Sequence, residues 1–349
     1  MSRPIVALAL ALFALTPGAT SPAIAQATPP PPIIGVGTLG GLFSTLGAVN
    51  NDDDAVGWSD VTYTDSEHAI LWQDGHLIDL GALPGDTVSR ALGINDLGQI
   101  VGLSVNSTDF PSRRVRAVVW DHGRVIEIPV GDPCVSTAIN NKGHVGGRCG
   151  GPAWLWRDGQ LVYIDLLPGY GSADIAAIND ADVVVGSMFD GRGGSTAFRW
   201  EKGVLTNLGA LAGSLGSAAA GINARGQIAG TVRTATDPSV VEPVVWERNT
   251  VTPLAGAWGV FQGVARGINN RGDVVGSGSF VDGSGGGTFT WSRGTFRFLD
   301  TPYFEVSDIN ERGTAVGRYS ETGDIAQGAL VPKAGTQVPV AAPRGTATP

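Results

Sequence analysis

Gly93-Ile94-Asn95-Asp96-Leu97-Gly98-Gln99-Ile100-Val101-Gly102 returns further along the same chain. It reads G-I-N-A-R-G-Q-I-A-G at Gly221 to Gly230 and G-I-N-N-R-G-D-V-V-G at Gly267 to Gly276. Weaker copies occupy Val49 to Gly57, Ala138 to Gly147, Ala177 to Gly186 and Asp308 to Gly317. The anchoring asparagines are Asn50, Asn95, Asn140, Asn179, Asn223, Asn269 and Asn310, at successive steps of 45, 45, 39, 44, 46 and 41 residues. A period of about 40 to 45 residues is the length of one four-stranded propeller blade.

Each copy reads as a hairpin. Asn95 at the first turn position and Gly98 at the fourth match the type I preferences: the Asn side chain caps its own backbone, and Gly takes positive φ without a Cβ clash. Asp53 and Asp182 replace that Gly in two copies, and Asp visits the left-handed region more readily than most residues. A third strand, Val115 to Trp120, and a fourth, Arg124 to Val130, follow across the tight turn Asp121-His122-Gly123. Parallel pieces end in Trp72, Trp156, Trp200, Trp246 and Trp291, and a Trp recurring once per unit reads as packing between blades.

One such sheet cannot bury both faces, so the units must stack, and closing the stack into a ring protects their edges. The expectation is an all-β, seven-bladed β-propeller of four-stranded antiparallel blades spanning residues 33–332. Ile33 to Leu39 resembles a fourth strand without its first three, and Gln327 to Val331 a third strand without its fourth. The N-terminal strand should therefore complete the last blade.

The ends read differently. Arg3, the apolar run Ile5 to Leu15 and the pattern Ala23-Ile24-Ala25 have the layout of a cleaved signal peptide over residues 1–25. The apolar run is too short for a bilayer, which needs about 20 residues. Residues 26–32 read as an extended, Pro-rich linker, and residues 333–349, rich in Ala, Pro, Thr and Gly, as a disordered tail. The expected location is secreted or periplasmic.

The chain of 349 residues carries 23 basic and 32 acidic side chains. A net charge of −9 works against nucleic acid and anionic membrane, both of which demand clustered Lys and Arg. Neither is expected as a partner, and membrane insertion is not expected. Cys134 and Cys149 flank the Asn140 turn almost symmetrically, which places them on one rung or one rung apart and predicts a disulfide.

The chain resembles the extracellular HAF repeat proteins of bacteria. The resemblance rests on H-A-I-L-W at His68 to Trp72, T-A-F-R-W at Thr196 to Trp200, D-L-G-A-L-P-G at Asp79 to Gly85 and N-L-G-A-L-A-G at Asn207 to Gly213. It covers about Ile33 to Pro332. It departs in the seventh copy, where Leu330-Val331-Pro332 replaces the Trp, and in the third, which lacks the His. What it implies is export and a repeat fold, with no catalytic residue to carry over.

Motifs for chemistry are sparse. Gly35-Val36-Gly37-Thr38-Leu39-Gly40 fits the dinucleotide pattern but leads into a repeat hairpin where a helix is needed. Asn51-Asp52-Asp53-Asp54 invites a calcium reading yet lacks the Gly and distal Glu of a calcium loop. The four histidines are scattered, and no H-E-x-x-H or G-x-S-x-G occurs. No cofactor, metal site or catalytic residue is expected.

Two connections per unit vary in length, and in a propeller these lie together on one face around the channel mouth, where function tends to sit. The second-to-third connection runs from about three residues around Gly150 to about nine at Ser279 to Gly287. That face collects aromatics outside the repeat pattern: Phe43, Tyr63, Tyr170, Trp258, Phe261, Tyr303 and Phe304. Arg113 and Arg114 stand at its edge, with Asp86, Asp132 and Glu305 nearer the channel. Tyr63, Tyr170, Trp258, Phe261, Tyr303, Phe304, Arg113 and Arg114 are the candidate ligand-binding residues, for a glycan or polypeptide held by stacking and hydrogen bonds. Two other readings stay open: a lyase or hydrolase working through channel carboxylates about 5 to 9 Å apart, and a structural surface protein. A monomer is expected.

Overall fold

The structure is a computed structural model. It describes residues 32–62, 66–106, 114–211, 213–234, 241–248, 250–255, 261–299, 301, 303–320 and 326–333. The segments expected as signal peptide (1–25), linker (26–31) and tail (334–349) lie outside the described residues, as do Tyr63, Arg113 and Trp258. No helix among the described residues is long and apolar enough to cross a membrane.

The repeat motif folds as a hairpin between the first two strands of each blade. After the short strand β1 (Ile34–Gly35), blade 1 is built from β2 (Gly40–Val49), β3 (Ala55–Val61), β4 (Glu67–Gln73) and β5 (His76–Asp79), paired in sequence order. Blades 2 to 6 repeat the plan over 88–127, 135–164, 172–207, 216–253 and 261–298. Blade 7 joins Phe304–Ile309, Ala315–Tyr319 and Gln327–Val331 to β1, so the chain start completes the last blade as expected. Its closing strand is shorter than Ile33 to Leu39: Ile34 pairs with Leu330 and Gly35 with Ala329, and Val36 N–H donates to Gly328 O at 2.9 Å.

The recurring residues each have a physical task. Asp53 (φ 69°) and Asp182 (φ 60°) adopt the left-handed turn conformation that Gly98 takes in blade 2. The motif's final Gly is required by space: a Cβ on Gly102 would collide with Arg90 O, and one on Gly230 with Ala218 O. The turns between third and fourth strands set two consecutive residues at positive φ, such as His122 (49°) and Gly123 (74°), which is the type I′ geometry of a two-residue hairpin.

The asparagines close the ring. Asn50 Oδ1 accepts from its own turn, from Asp52 N at 3.0 Å and Asp54 N at 2.9 Å, while Nδ2 donates to Asn95 O in the next blade at 3.3 Å. The cross-blade bond repeats from Asn95, Asn140, Asn179, Asn223 and Asn269, and Asn310 returns to Asn50 O at 2.8 Å. Seven amides form one circle around a channel mouth. Each of these carbonyls also accepts from its own turn, as Asn95 O does from Gly98 N at 3.1 Å, so losing one amide removes a bond of about 0.5–1.5 kcal/mol and leaves its acceptor satisfied.

The tryptophans pack between blades. Trp72 shares a core cluster with Val316 and Leu330 of blade 7, Trp120 with Val56 and Ala69 of blade 1, and Trp200 with Ala153 and Leu155 of blade 3. His68 and Thr196, at the head of the H-A-I-L-W and T-A-F-R-W elements, tie third strand to fourth: His68 Nδ1 lies 2.9 Å from Asp79 and Thr196 Oγ1 2.9 Å from Asn207. Asp79 and Asn207 in turn accept from Gly81 N and Gly209 N, each at 2.8 Å. In blade 3 the disulfide forms between Cys134 and Cys149, with Cα atoms 4.2 Å apart and the rung Val135–Arg148 beside it.

Candidate functional site

The residues three and two places before each Asn line the channel, joined in five blades by the residue directly before it. The first is a β-bulge residue in all seven blades, unpaired in the ladder between first and second strands. Gly47, Leu92, Thr137, Ala176, Ala220 and Ser307 fill it, and in blade 6 it is Arg266. The second is Gly or Ala in six blades and Asp308 in blade 7. The two charged residues among these channel positions, Arg266 and Asp308, thus belong to adjacent blades.

Asp308 spans three blades. Its Oδ2 accepts from Val49 N of blade 1 at 3.2 Å, its Oδ1 from Ile309 N at 2.8 Å, and a Cβ on Gly267 of blade 6 would press on that Oδ1. Burial pushes its carboxyl up to about 6, with the two backbone donors opposing. The side chain is half-buried by surface area because the channel is hollow. Arg266 is exposed, and it makes no hydrogen bond or ion pair with the described residues.

Above Arg266, blades 6 and 7 part on the variable-loop face into a cleft of about 950 Å³. Arg266 lines both cleft and channel. The connection from blade 6 turns through Thr301 and Tyr303, with Phe304 N donating to Thr301 O at 3.4 Å. Tyr303 holds φ at 61° and is 67% exposed. The other eight non-glycine residues with positive φ sit in hairpin turns that call for it, and a bulky side chain there is strained. Thr301 is buried at the cleft wall with its Oγ1 unpartnered. Arg318 forms an ion pair with Glu305 at 2.6 Å along the opposite wall.

The structure brings Tyr303, Phe304, Glu305 and Phe43 of the sequence-derived set to this one cleft. Phe304 is almost fully buried beneath it. Phe261 has no free face: it is fully buried, edge-on to Phe280, Phe289 and Phe296 at 4.9 to 5.6 Å. Tyr170 packs, half-buried, against the core at the junction of blades 3 and 4. Arg114 pairs with Asp132 at 3.6 Å and does not line the cleft. Arg266, Thr301, Arg318 and Asp308 went unread as site residues, although stacking the seven copies by their Asn exposes Arg266 and Asp308 at once.

Each proposed channel carboxylate is already engaged by a cation of its own. Asp86 is held by Arg116 and by Ser104 Oγ at 2.6 Å, Asp132 by Arg114 and Val115 N, and Glu305 by Arg318. In the acidic run, Asp53 accepts from Asn310 and Arg312 across the closing junction, and Asp54 from Gln73 at 2.9 Å. Among the described residues no three His, Cys, Asp or Glu side chains converge as metal ligands. After Gly40 comes strand β2, which offers no helix N-terminus to a pyrophosphate. The connection read as nine residues at Ser279 to Gly287 spans 281–285, because its strands run to Phe280 and restart at Gly286.

No family model and no curated protein matches this chain. The chain is similar in structure to the β-propeller domain of the Trilobed protease from Pyrococcus furiosus, described as having an open velcro topology. That likeness has a TM-score of 0.57 at 10% identity and covers 84% of this chain and 100% of that one. A gluconolactonase from Xanthomonas campestris matches with a TM-score of 0.37 at 10% identity, over 64% of this chain and 82% of that one. The SapL1 lectin, in complex with alpha methyl fucoside, matches with 0.41 at 11% identity, over 83% and 92%. The first supports the fold; the other two carry no argument at these scores.

Proposed function

We propose that this protein is an exported binding module of the HAF repeat type, which holds an acidic glycan in the cleft between blades 6 and 7. One observation carries the reading: Tyr303, strained and two-thirds exposed, stands at a cleft whose wall includes the unpartnered guanidinium of Arg266. A phenol ring offers a stacking face to a pyranose, and a guanidinium offers a fork to its carboxylate. Thr301 Oγ1 and the Arg318–Glu305 pair supply polar contacts beside them. The formed disulfide and the leader-like residues 1–25 support export, since such bonds persist in oxidising compartments. Asp86, Asp132 and Glu305 are each ion-paired, with Arg116, Arg114 and Arg318, which weighs against a free acid and base pair.

The test is an oligosaccharide array containing oligogalacturonates and neutral galactans, with Tyr303→Ala and Arg266→Ala as variants. Both side chains are exposed, so thermal unfolding should stay put. Binding to the acidic sugars should weaken by about tenfold for each, the worth of one good contact. Wild-type binding by both variants, or capture of polypeptides with no acidic sugar bound, would sink the reading.

A further inference from the structure

Blades 6 and 7 part a second time on the opposite face, among the short hairpin turns. The groove there measures about 580 Å³, and Leu299 lines both it and the cleft above. Its cause is visible in the register. Trp72 faces Ala55, Trp120 faces Ile100 and Trp291 faces Val274, whereas at the matching rung of blade 7 Val331 faces Ala315. Where other junctions receive an indole from the following blade, this one receives an isopropyl group beside Val275. The shortfall in side-chain volume leaves a slot floored by Val275, Ile309, Ala315 and Val331.

The rim is cationic in a chain of net charge −9: Arg271, Arg293, Arg297 and Lys333 stand against Asp273. Arg271 is tied to Asp273 at 2.9 Å and to Glu311 O, yet its Nη2 is buried without a partner. Arg293 and Arg297 are exposed and make no hydrogen bond or ion pair with the described residues. We infer that this groove docks an acidic peptide, which inserts an aromatic side chain where the other junctions hold their own Trp while its carboxylates meet Arg293 and Arg297. The apolar floor fixes the need for a flat ring, and the unpaired guanidiniums fix the sign of its neighbours. Residues 334–349, which follow Lys333, contain no aromatic and no acidic side chain, so they match neither half of the slot.

The peptide acetyl-Asp-Trp-Asp is titrated calorimetrically into the protein, with acetyl-Asp-Ala-Asp and acetyl-Asn-Trp-Asn as controls. Each control should bind at least about tenfold more weakly. Val331→Trp should raise Tm and abolish binding, and Arg293→Ala with Arg297→Ala should weaken binding at unchanged Tm, which keeps the test valid if the tryptophan variant misfolds. Equal binding of the three peptides, or unaltered binding by the double arginine variant, overturns the inference. So would tighter binding after deletion of 334–349, which would make that segment the occupant, or a dimer that Val331→Trp dissolves, which would make it a second copy. Oligogalacturonate binding by these variants should remain at the wild-type level, so the groove and the upper cleft fail or stand separately.

Discussion

At the residue scale the most informative side chain is Asp308, which takes the place of Gly or Ala in the channel wall. Its carboxyl titrates near 6 when folded and from an ordinary 3.8 when unfolded. Between those values the folded state holds the extra proton, so this group's contribution to stability falls as pH rises from about 4 to 7 and is fully lost above the folded value. Asp182 and Asp273 are opposite in sign. Burial would raise both, but hydrogen bonds from His144, Lys142 and Asn140, and from Ser292, Asn269 and Arg271, hold them low, so their contribution is lost only below about 4. Asp308→Asn should therefore flatten the stability profile between pH 4 and 7. The wild-type advantage over the variant in urea unfolding should shrink across that window by on the order of 2 kcal/mol, less than the full shift gives because channel water reaches the carboxyl. A constant difference would refute the assignment. Arg266 and Asp308 were legible once the copies are stacked on their asparagines, since charge among Gly and Ala is visible in letters alone. Phe261 and Phe304 were not. Each begins or precedes a first strand, where turn geometry decides whether the ring points inward or outward, and the letters Phe and Tyr are equally apolar either way.

At the element scale, what repeats was readable and what ends was not. Turn chemistry fixed the hairpins, because Asn, Asp and Gly have few alternatives where φ must be positive. Strand ends are set by neighbouring blades, and so the fourth strand of blade 2 stops at Glu127 although Ile128 N still donates to Ala117 O. Blade 3 has a short ladder, with strands of five, four, five and five residues. The Cys134–Cys149 bond clamps that ladder at its open end. Cys134→Ser with Cys149→Ser should cost about 3 kcal/mol by loop entropy, read as a lower urea midpoint. Unchanged stability would mean that the other blade contacts already hold the hairpin, leaving the covalent tie redundant.

The ring as a whole depends on a strand of two residues. β1 supplies two rungs, Val36 N–H to Gly328 O, and the buried Val36 side chain between blades 7 and 1. Burial of that valine is worth about 1.5–3 kcal/mol, and each backbone bond roughly 1. The amide circle and the Asp53–Arg312 pair bridge the same junction at the other face, so closure is shared between two devices. Deleting residues 1–31 should leave Tm and the oligomeric state in solution unchanged. Extending the deletion through Val36 should lower Tm and expose the edge of Gln327–Val331, whose free N–H and C=O groups recruit a strand from another copy. Light scattering after size exclusion would then report oligomers. A monomer of unchanged Tm would place the closing force in the amide circle and the junction core, leaving β1 a minor part of the seal.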